Sequence, residues 1–258
     1  MKLTDKEIEQ FDRDGFLIIR DFADTTECSA ILDIAKVHLK YEITPIETEY
    51  EYIGIDDIKY KETVRRLRQV YDRDILFRNW MQSTKIRPIL KQLLKDTPVL
   101  TLAHHNSIMT KHPHSSTETR WHRDIRYWRY QNDNLISIWL ALGEENSSNG
   151  VLHFIKGSHK MEFSSELFDE KEYFVPTESE KNLLVSKIVT PTLNRGDIVL
   201  FHSKTLHSAD KNRSDNPKIS FVYTVKGLKN APLPNTRSSS FDEVILYDDK
   251  VKRVSTNL

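Results

Sequence analysis

Trp121-His122-Arg123-Asp124 is the stretch on which the reading of this chain turns. It carries His-x-Asp at the end of a loop that enters a strand. Residues two apart in a strand point to the same face, so His122 and Asp124 can present an imidazole and a carboxylate side by side. A third ligand would complete a facial set of two histidines and one carboxylate, an arrangement suited to Fe(II) with coordination positions to spare. The candidate is His207, in Leu206-His207-Ser208. A lone His-x-Asp also occurs by chance, so the rest of the chain has to support or undo this assignment.

Composition narrows the class. The chain has 258 residues, with 38 basic and 38 acidic side chains. That balance gives no global field to attract nucleic acid or an anionic membrane. Cys28 is the single cysteine, which rules out an intramolecular disulfide and suits a reducing compartment. The opening Met1-Lys2-Leu3-Thr4-Asp5-Lys6-Glu7 is too charged for a secretory signal, and no apolar run approaches a membrane span. The expectation is a cytoplasmic protein with a small-molecule substrate and neither nucleic-acid nor membrane partners. No Pro/Gly/Ser linker interrupts the chain, so residues 1–258 are expected to form one domain.

The first hundred residues read as mostly helical. Thr4-Asp5-Lys6-Glu7 is a capping box, Ile8 and Phe11 give the helix an apolar side, and Gly15 stops it. Phe16-Leu17-Ile18-Ile19 reads as a buried strand. A second helix runs from about Thr26, with Ile31, Leu32, Ala35 and Leu39 at helical spacing and Cys28 as a small core residue. Residues 42–60 show no clear period. Helical patterns resume at 62–71, 75–81 and 86–94, and the basic run Arg65-Arg66-Leu67-Arg68 falls in the first of these as a solvated face. After Pro98 the character changes to short strands, at 99–103, 135–142, 151–155, 188–189, 198–201 and 219–225. Residues 160–186 are charged and Ser-rich and read as a surface insertion, a solvated excursion in preference to a lid. The fold class predicted is mainly β with flanking helices, a jelly roll. It has a helical part to about residue 97, a β core over 98–225, and a polar, partly mobile tail over 226–258.

The order of segments resembles the phytanoyl-CoA dioxygenase family of Fe(II)- and 2-oxoglutarate-dependent oxygenases. Asp14-Gly15-Phe16-Leu17-Ile18-Ile19 is similar to its N-terminal "DGF" strand, and Lys111-His112-Pro113 to its Lys-Pro run before Trp-His-x-Asp. Trp139-Leu140-Ala141-Leu142, Asn149-Gly150-Val151-Leu152 and Lys156-Gly157-Ser158-His159-Lys160 resemble its "WIAL…NG-x-L…PGSHK" block. Gly196-Asp197-Ile198-Val199-Leu200-Phe201-His202, followed by His207-Ser208, resembles its "GD…H" strand pair. The likeness runs from about residue 11 to 225. It implies a double-stranded β-helix of the cupin-like kind, with iron on His122, Asp124 and His207. It further implies 2-oxoglutarate and O₂ as co-substrates, oxidation of a small molecule, and release of succinate and CO₂. Co-substrate contacts are implied at Lys218, Lys111, Phe201 and Ser208. Here the sequence departs from the family, which usually carries arginine where Pro217-Lys218-Ile219 stands. Arg213 is the rival anchor, in a turn.

Other histidines compete for the metal. His202 also follows the Gly196-Asp197 strand, but the family pattern places the ligand after it, at His207. His104 and His105 are adjacent, so in a strand they cannot both be ligands. They and His112 and His114 read as solvated or supporting residues, and His159 as a turn residue. Asn149-Gly150 reads as a turn. If the strand continues past Asp124, Arg126 and Trp128 share its inward face and contact substrate. Arg126 would then suit an anionic group, with a structural ion pair as the equal alternative. The alternative function is a catalytically silent binding protein of the same fold, against which the complete ligand set argues. Asp124 also disfavours a halogenase, which needs a small residue there.

Overall fold

The computed structural model describes residues 1–256. Helix α1 (Asp5–Asp14) starts at the expected capping box, Thr4 Oγ1 accepting from the Glu7 amide and the Glu7 carboxylate accepting from the Thr4 amide. Gly15 ends it in the left-handed region at φ 82°, where a side chain would also collide with the His159 ring and the Thr205 hydroxyl. Strand β1 (Phe16–Ile19) follows, then α2 (Thr25–Lys40), β2 (Ile46–Thr48), α3 (Glu49–Ile53), α4 (Ile58–Lys61) and β3 (Val64–Arg68). Helices α5 (Ile75–Met81) and α6 (Arg87–Leu94) lead into the long strand β4 (Pro98–Lys111) and then β5 (Thr119–His122). The remainder comprises β6 (Leu135–Ala141), β7 (Leu152–Ile155), α7 (Glu178–Leu184), β8 (Ile188–Val189), β9 (Ile198–His202), β10 (His207–Ala209), β11 (Lys218–Gly227), β12 (Glu243–Leu246) and β13 (Val251–Val254).

The strands form two antiparallel sheets. The larger runs β1-β9-β6-β11-β4-β12-β13, with β3 and then β2 added at the far half of β4; the smaller runs β5-β10-β7-β8. Together they make the expected double-stranded β-helix with flanking helices. Strand parity sorts the core into two layers. Ile136, Ile138 and Leu140 of β6 face the helices, packing with Ile31, Phe77 and Leu90, whereas Trp139 and Ala141 face the second sheet, with Phe154, Phe201 and Val222. Cys28 belongs to the helical layer, and burial pushes its thiol up to about 11. Gly150, at φ 86°, makes the turn expected of Asn149-Gly150.

Three expectations are corrected. Residues 62–71 form no α-helix: Val64–Arg68 is a strand held between β2 and β4, and only the 3-10 turn Val70–Asp72 follows it. Its pairing with β2 goes from Glu47↔Arg66 to Thr48↔Val64, so Arg65 is an inserted bulge residue. The bulge puts the apolar Val64 and Leu67 three apart, a helical spacing produced by a broken strand. The polar tail is not loose either, since β12 pairs with β4 and β13 pairs with β12. Segment 160–186 is no solvated excursion. Phe163, Phe168 and Phe174 pack with Leu184 and Leu206, and Tyr173 bridges to His122.

Candidate active site

His122 is the last residue of β5 and lies directly opposite His207, the first residue of β10. Arg123 remains extended, and Asp124 opens a 3-10 turn over Asp124–Tyr127. Strand parity therefore holds as far as Asp124 and fails beyond it, which removes the premise for placing Arg126 and Trp128 on an inward face. One ligand atom from each of His122, Asp124 and His207 lies within 4.8 Å of the others, and all three residues are buried. Asp124 Oδ1 is 3.5 Å from His122 Nε2 and 3.3 Å from His207 Nε2.

The donor chemistry fits a divalent cation. Each imidazole turns Nδ1 to a backbone carbonyl, His122 to Arg120 at 2.8 Å and His207 to Thr205 at 2.9 Å. A carbonyl only accepts, so Nδ1 carries the proton and Nε2 keeps its lone pair for the site. Burial, with His207 beside it, pushes His122 down to about 4, so it is neutral at physiological pH. Burial alone would raise the Asp124 carboxyl, but His105 and His207 hold it well below the usual range. Its Oδ2 accepts from Ser137 Oγ at 3.0 Å and lies 3.1 Å from His105 Nδ1. Its Oδ1 is buried and, among the described residues, has no hydrogen-bond partner. A buried, ionised, unpartnered oxygen facing two imidazole lone pairs is what a metal ion would satisfy.

The ligands open on a cavity of about 90 Å³ between the two sheets. Met109, Leu152, Phe201, Ala209 and Val222 form its apolar walls. Lys111 and Lys218, direct cross-strand partners on β4 and β11, line it together with Arg65. Lys218 Nζ donates to Glu145 at 3.1 Å, and that buried carboxylate also accepts from Trp139 Nε1 and Ser220 Oγ. Lys111 Nζ reaches only neutral acceptors, the Thr117 carbonyl and Thr119 Oγ1. Burial, with the charges of Arg65 and Lys218, lowers its pKa well below the usual lysine value. Arg65 pairs with buried Glu49 at 3.0 Å, donates to Thr119 Oγ1 at 2.8 Å and lies 3.4 Å over the Tyr52 ring. Arg65→Ala leaves the Glu49 charge uncompensated and is expected to lower stability by about 3–5 kcal/mol in a denaturant titration.

Lys218, Lys111 and Phe201 thus come together with the metal ligands. Ser208 does not: it lies between His207 and Ala209 on β10 and faces away from the cavity that they line. Trp128 is 1% exposed and packs with Tyr130 and Leu135, its ring 5.0 Å from that of His105. Arg126 stacks on Tyr173 at 4.1 Å and donates to Tyr127 and to the Lys171 carbonyl, outside the cavity lining. Arg213 is exposed. His202 turns away toward His159, ring to ring 5.4 Å. Sequence reasoning missed Arg65, Tyr52 and Tyr173, and it left open whether His105 is solvated or supporting; the structure sets it beside Asp124. Tyr173 and Tyr52 are hydrogen-bonded at 2.7 Å, Tyr52 lines the cavity, and the Tyr173 ring lies 6.1 Å from that of His122.

The phytanoyl-CoA dioxygenase family model matches residues 11–220. The chain belongs to the phytanoyl-CoA dioxygenase family. Among curated members it is 23% identical over 262 residues to phytanoyl-CoA dioxygenase domain-containing protein 1 of Bos taurus, covering 86% of this chain and 89% of that protein. It is 26% identical over 209 residues to a probable alpha-ketoglutarate-dependent hypophosphite dioxygenase of Stutzerimonas stutzeri, covering 78% and 70%. Among solved structures, the epimerase SnoN, in complex with Fe3+, alpha-ketoglutarate and nogalamycin RO, superposes with a TM-score of 0.73 at 17% identity, covering 89% of this chain and 85% of that one. Among the described residues no helix is long and apolar enough to cross a membrane.

Proposed function

We propose that this family member is an Fe(II)- and 2-oxoglutarate-dependent dioxygenase that oxidises a small organic substrate and releases succinate and CO₂. The observation that carries this is the buried His122, Asp124 and His207 set, with both imidazoles fixed as Nε2 donors, opening on a cavity lined by two lysines. Fe(II) held there would supply open positions for a 2-oxo acid and O₂, and the redox chemistry that couples their consumption to oxidation of a substrate C–H bond. The chain's own residues do the rest. Lys111 and Lys218 are the groups assigned to the far carboxylate of 2-oxoglutarate, since they are the cavity-lining lysines and carry the matching charge. Phe201, 4.9 Å from the His207 ring, and Leu152 wall the space beside the ligands and exclude water. Ser137 and His105 hold the second oxygen of Asp124, leaving the first for the metal. Arg126, clamped between Tyr127 and Tyr173, positions the aromatic cover, and Trp128 backs His105.

The test is anaerobic titration with Fe(II) and 2-oxoglutarate, followed by succinate release on adding O₂ and candidate substrates. Binding of one Fe(II) and one 2-oxoglutarate per chain is expected, with succinate formed on oxygenation. His202→Ala is expected to leave Fe(II) binding unchanged, because that ring faces His159. Loss of iron in this variant would move a ligand to position 202.

A further inference from the structure

A second cavity adjoins the first, and the proposed reaction as described gives it no task. Strand β4 is paired on one edge by β12 over residues 99–101 and by β3 over 107–109. Between them its pairing with β11 jumps from Thr224↔Thr101 to Tyr223↔Asn106. Residues 102–105 therefore bulge out of the sheet, with His105 in the left-handed region at φ 42°. A cavity of about 200 Å³ sits in this gap, and His105 and Arg66 line both it and the metal-bearing cavity.

Three guanidinium groups line the new cavity, from Arg66, Arg68 and Arg237. Arg66 and Arg68 are two apart on β3 and share a face. Among the described residues one carboxylate answers them, Glu47, which pairs with Arg66 at 2.5 Å. The Arg68 guanidinium finds no hydrogen-bond or ion-pair partner among the described residues. Nε of Arg66 and Nε of Arg68 are both buried without a partner. Arg237 donates only a long bond, 3.4 Å, to the Ala103 carbonyl. Burial, then the charges of Arg66 and Arg68, lowers its pKa, so the three cations are close enough to repel one another. His104, in the same wall, is pushed down to about 3 by burial and by Arg237, and adds no charge. The buried, unpartnered Nε–H groups of Arg66 and Arg68 and the unpaired Arg68 charge are unfavourable in an empty site and favourable around an anion, and Arg237, exposed and lying over the Phe241 ring, adds a solvent-side cation at the cavity wall.

We propose that this cavity binds the phosphoryl group of the substrate, held by Arg66, Arg68 and Arg237, with the organic part of the molecule extending past His105 toward the metal. Three guanidiniums against the single Glu47 carboxylate leave two positive charges in excess, which match a phosphate monoester carrying about −1.5 to −2 charges at neutral pH. Their forked donors suit tetrahedral oxyanions. The fate of the ligand rests on the oxygenase reading above; its binding does not, and the two can fail separately.

The test uses the full-length, metal-free protein and calorimetric titration with inorganic phosphate, acetate and glycerol 3-phosphate. Saturable phosphate binding is expected, at least about tenfold tighter than acetate, and weakened about tenfold or more by Arg68→Ala and by Arg237→Ala. Arg68 and Arg237 make few contacts within the chain, so both variants should fold, which melting curves check; Arg68→Lys should restore part of the binding. Asp124→Ala and Lys111→Met should leave phosphate binding intact, which separates this site from the metal and from the co-substrate anchor. Glycerol 3-phosphate should bind at least as tightly as phosphate, because its organic arm has the adjoining cavity to enter. No saturable phosphate binding, equal binding of acetate, or binding that survives both arginine variants would overturn the proposal. Exclusion of the ester with retention of phosphate would make this a free-anion site and overturn its assignment to substrate.

Discussion

Asp124→Ala is expected to abolish Fe(II) binding and succinate formation while leaving the metal-free chain folded. The carboxylate is the charged member of the ligand set, and among the described residues its Oδ1 has no hydrogen-bond partner. Without it, two imidazoles remain, their rings 4.2 Å apart, and a pair of nitrogen donors does not make a facial site. Stability responds differently. In the metal-free chain Asp124 is a fully buried charge with one oxygen unsatisfied, and its removal takes away a desolvation cost along with the Ser137 hydrogen bond. The two effects oppose each other, so the metal-free variant should melt close to wild type. The difference appears on adding metal. Fe(II) at a hundredfold its dissociation constant stabilises a binding-competent chain by about 2.7 kcal/mol, roughly 5–10 °C at this size. Wild type should show that rise under anaerobic conditions; Asp124→Ala and His207→Ala should not. A variant that still gained stability from Fe(II) and still turned over would place the carboxylate ligand elsewhere.

Those ligands were legible in the sequence because each sits next to a short local signal. His122 and Asp124 are two apart in extended chain, and His207, like its rival His202, follows a strand opened by Gly196-Asp197, the family pattern deciding between the two. The β core was legible for the same reason, since β6, β9 and β11 are apolar runs of ordinary strand length. What surrounds the ligands was not. Arg65 and Arg66 lie at a bulge, and a bulge destroys the period-2 alternation by which a strand is recognised. His105 reaches Asp124 only because residues 102–105 leave the sheet, which no local pattern announces. Tyr173 closes on His122 from a segment whose charged, Ser-rich composition hides the cluster of Phe163, Phe168 and Phe174 beneath it. Ser208 and Trp128 were placed by motif proximity and by assumed strand parity. The β10 alternation turns the first away from the cavity, and the 3-10 turn after Asp124 carries the second into a separate aromatic cluster.

The same contrast between local signal and tertiary context bears on the co-substrate anchor. Lys111→Met is expected to weaken 2-oxoglutarate binding about ten- to a hundredfold, the worth of one charge-assisted hydrogen bond of 1.5–3 kcal/mol. Iron affinity should change little. The family resemblance in the sequence points to Lys218, yet its ammonium is already paired with buried Glu145. A carboxylate arriving at Lys218 has to share that cation, whereas Lys111 has only neutral acceptors to give up. Lys218→Ala by itself would strand Glu145 and destabilise the fold by about 3–5 kcal/mol, confusing the measurement. The cleaner variant is Lys218→Met with Glu145→Gln, in which the amide oxygen can still accept from Trp139 and Ser220. That double variant is expected to lose less affinity than Lys111→Met. Protons give an independent readout. Burial and the neighbouring charges of Arg65 and Lys218 lower the pKa of Lys111 in the empty site. An anion beside it favours the charged amine, so the pKa rises on binding and a proton is taken up. Affinity should then fall as pH rises through the interval between the two values, and calorimetry in buffers of different ionisation enthalpy should register the uptake. Lys111→Met should remove both the pH dependence and the proton. If the uptake persists in that variant and vanishes in the double variant, Lys218 is the anchor despite its pairing with Glu145.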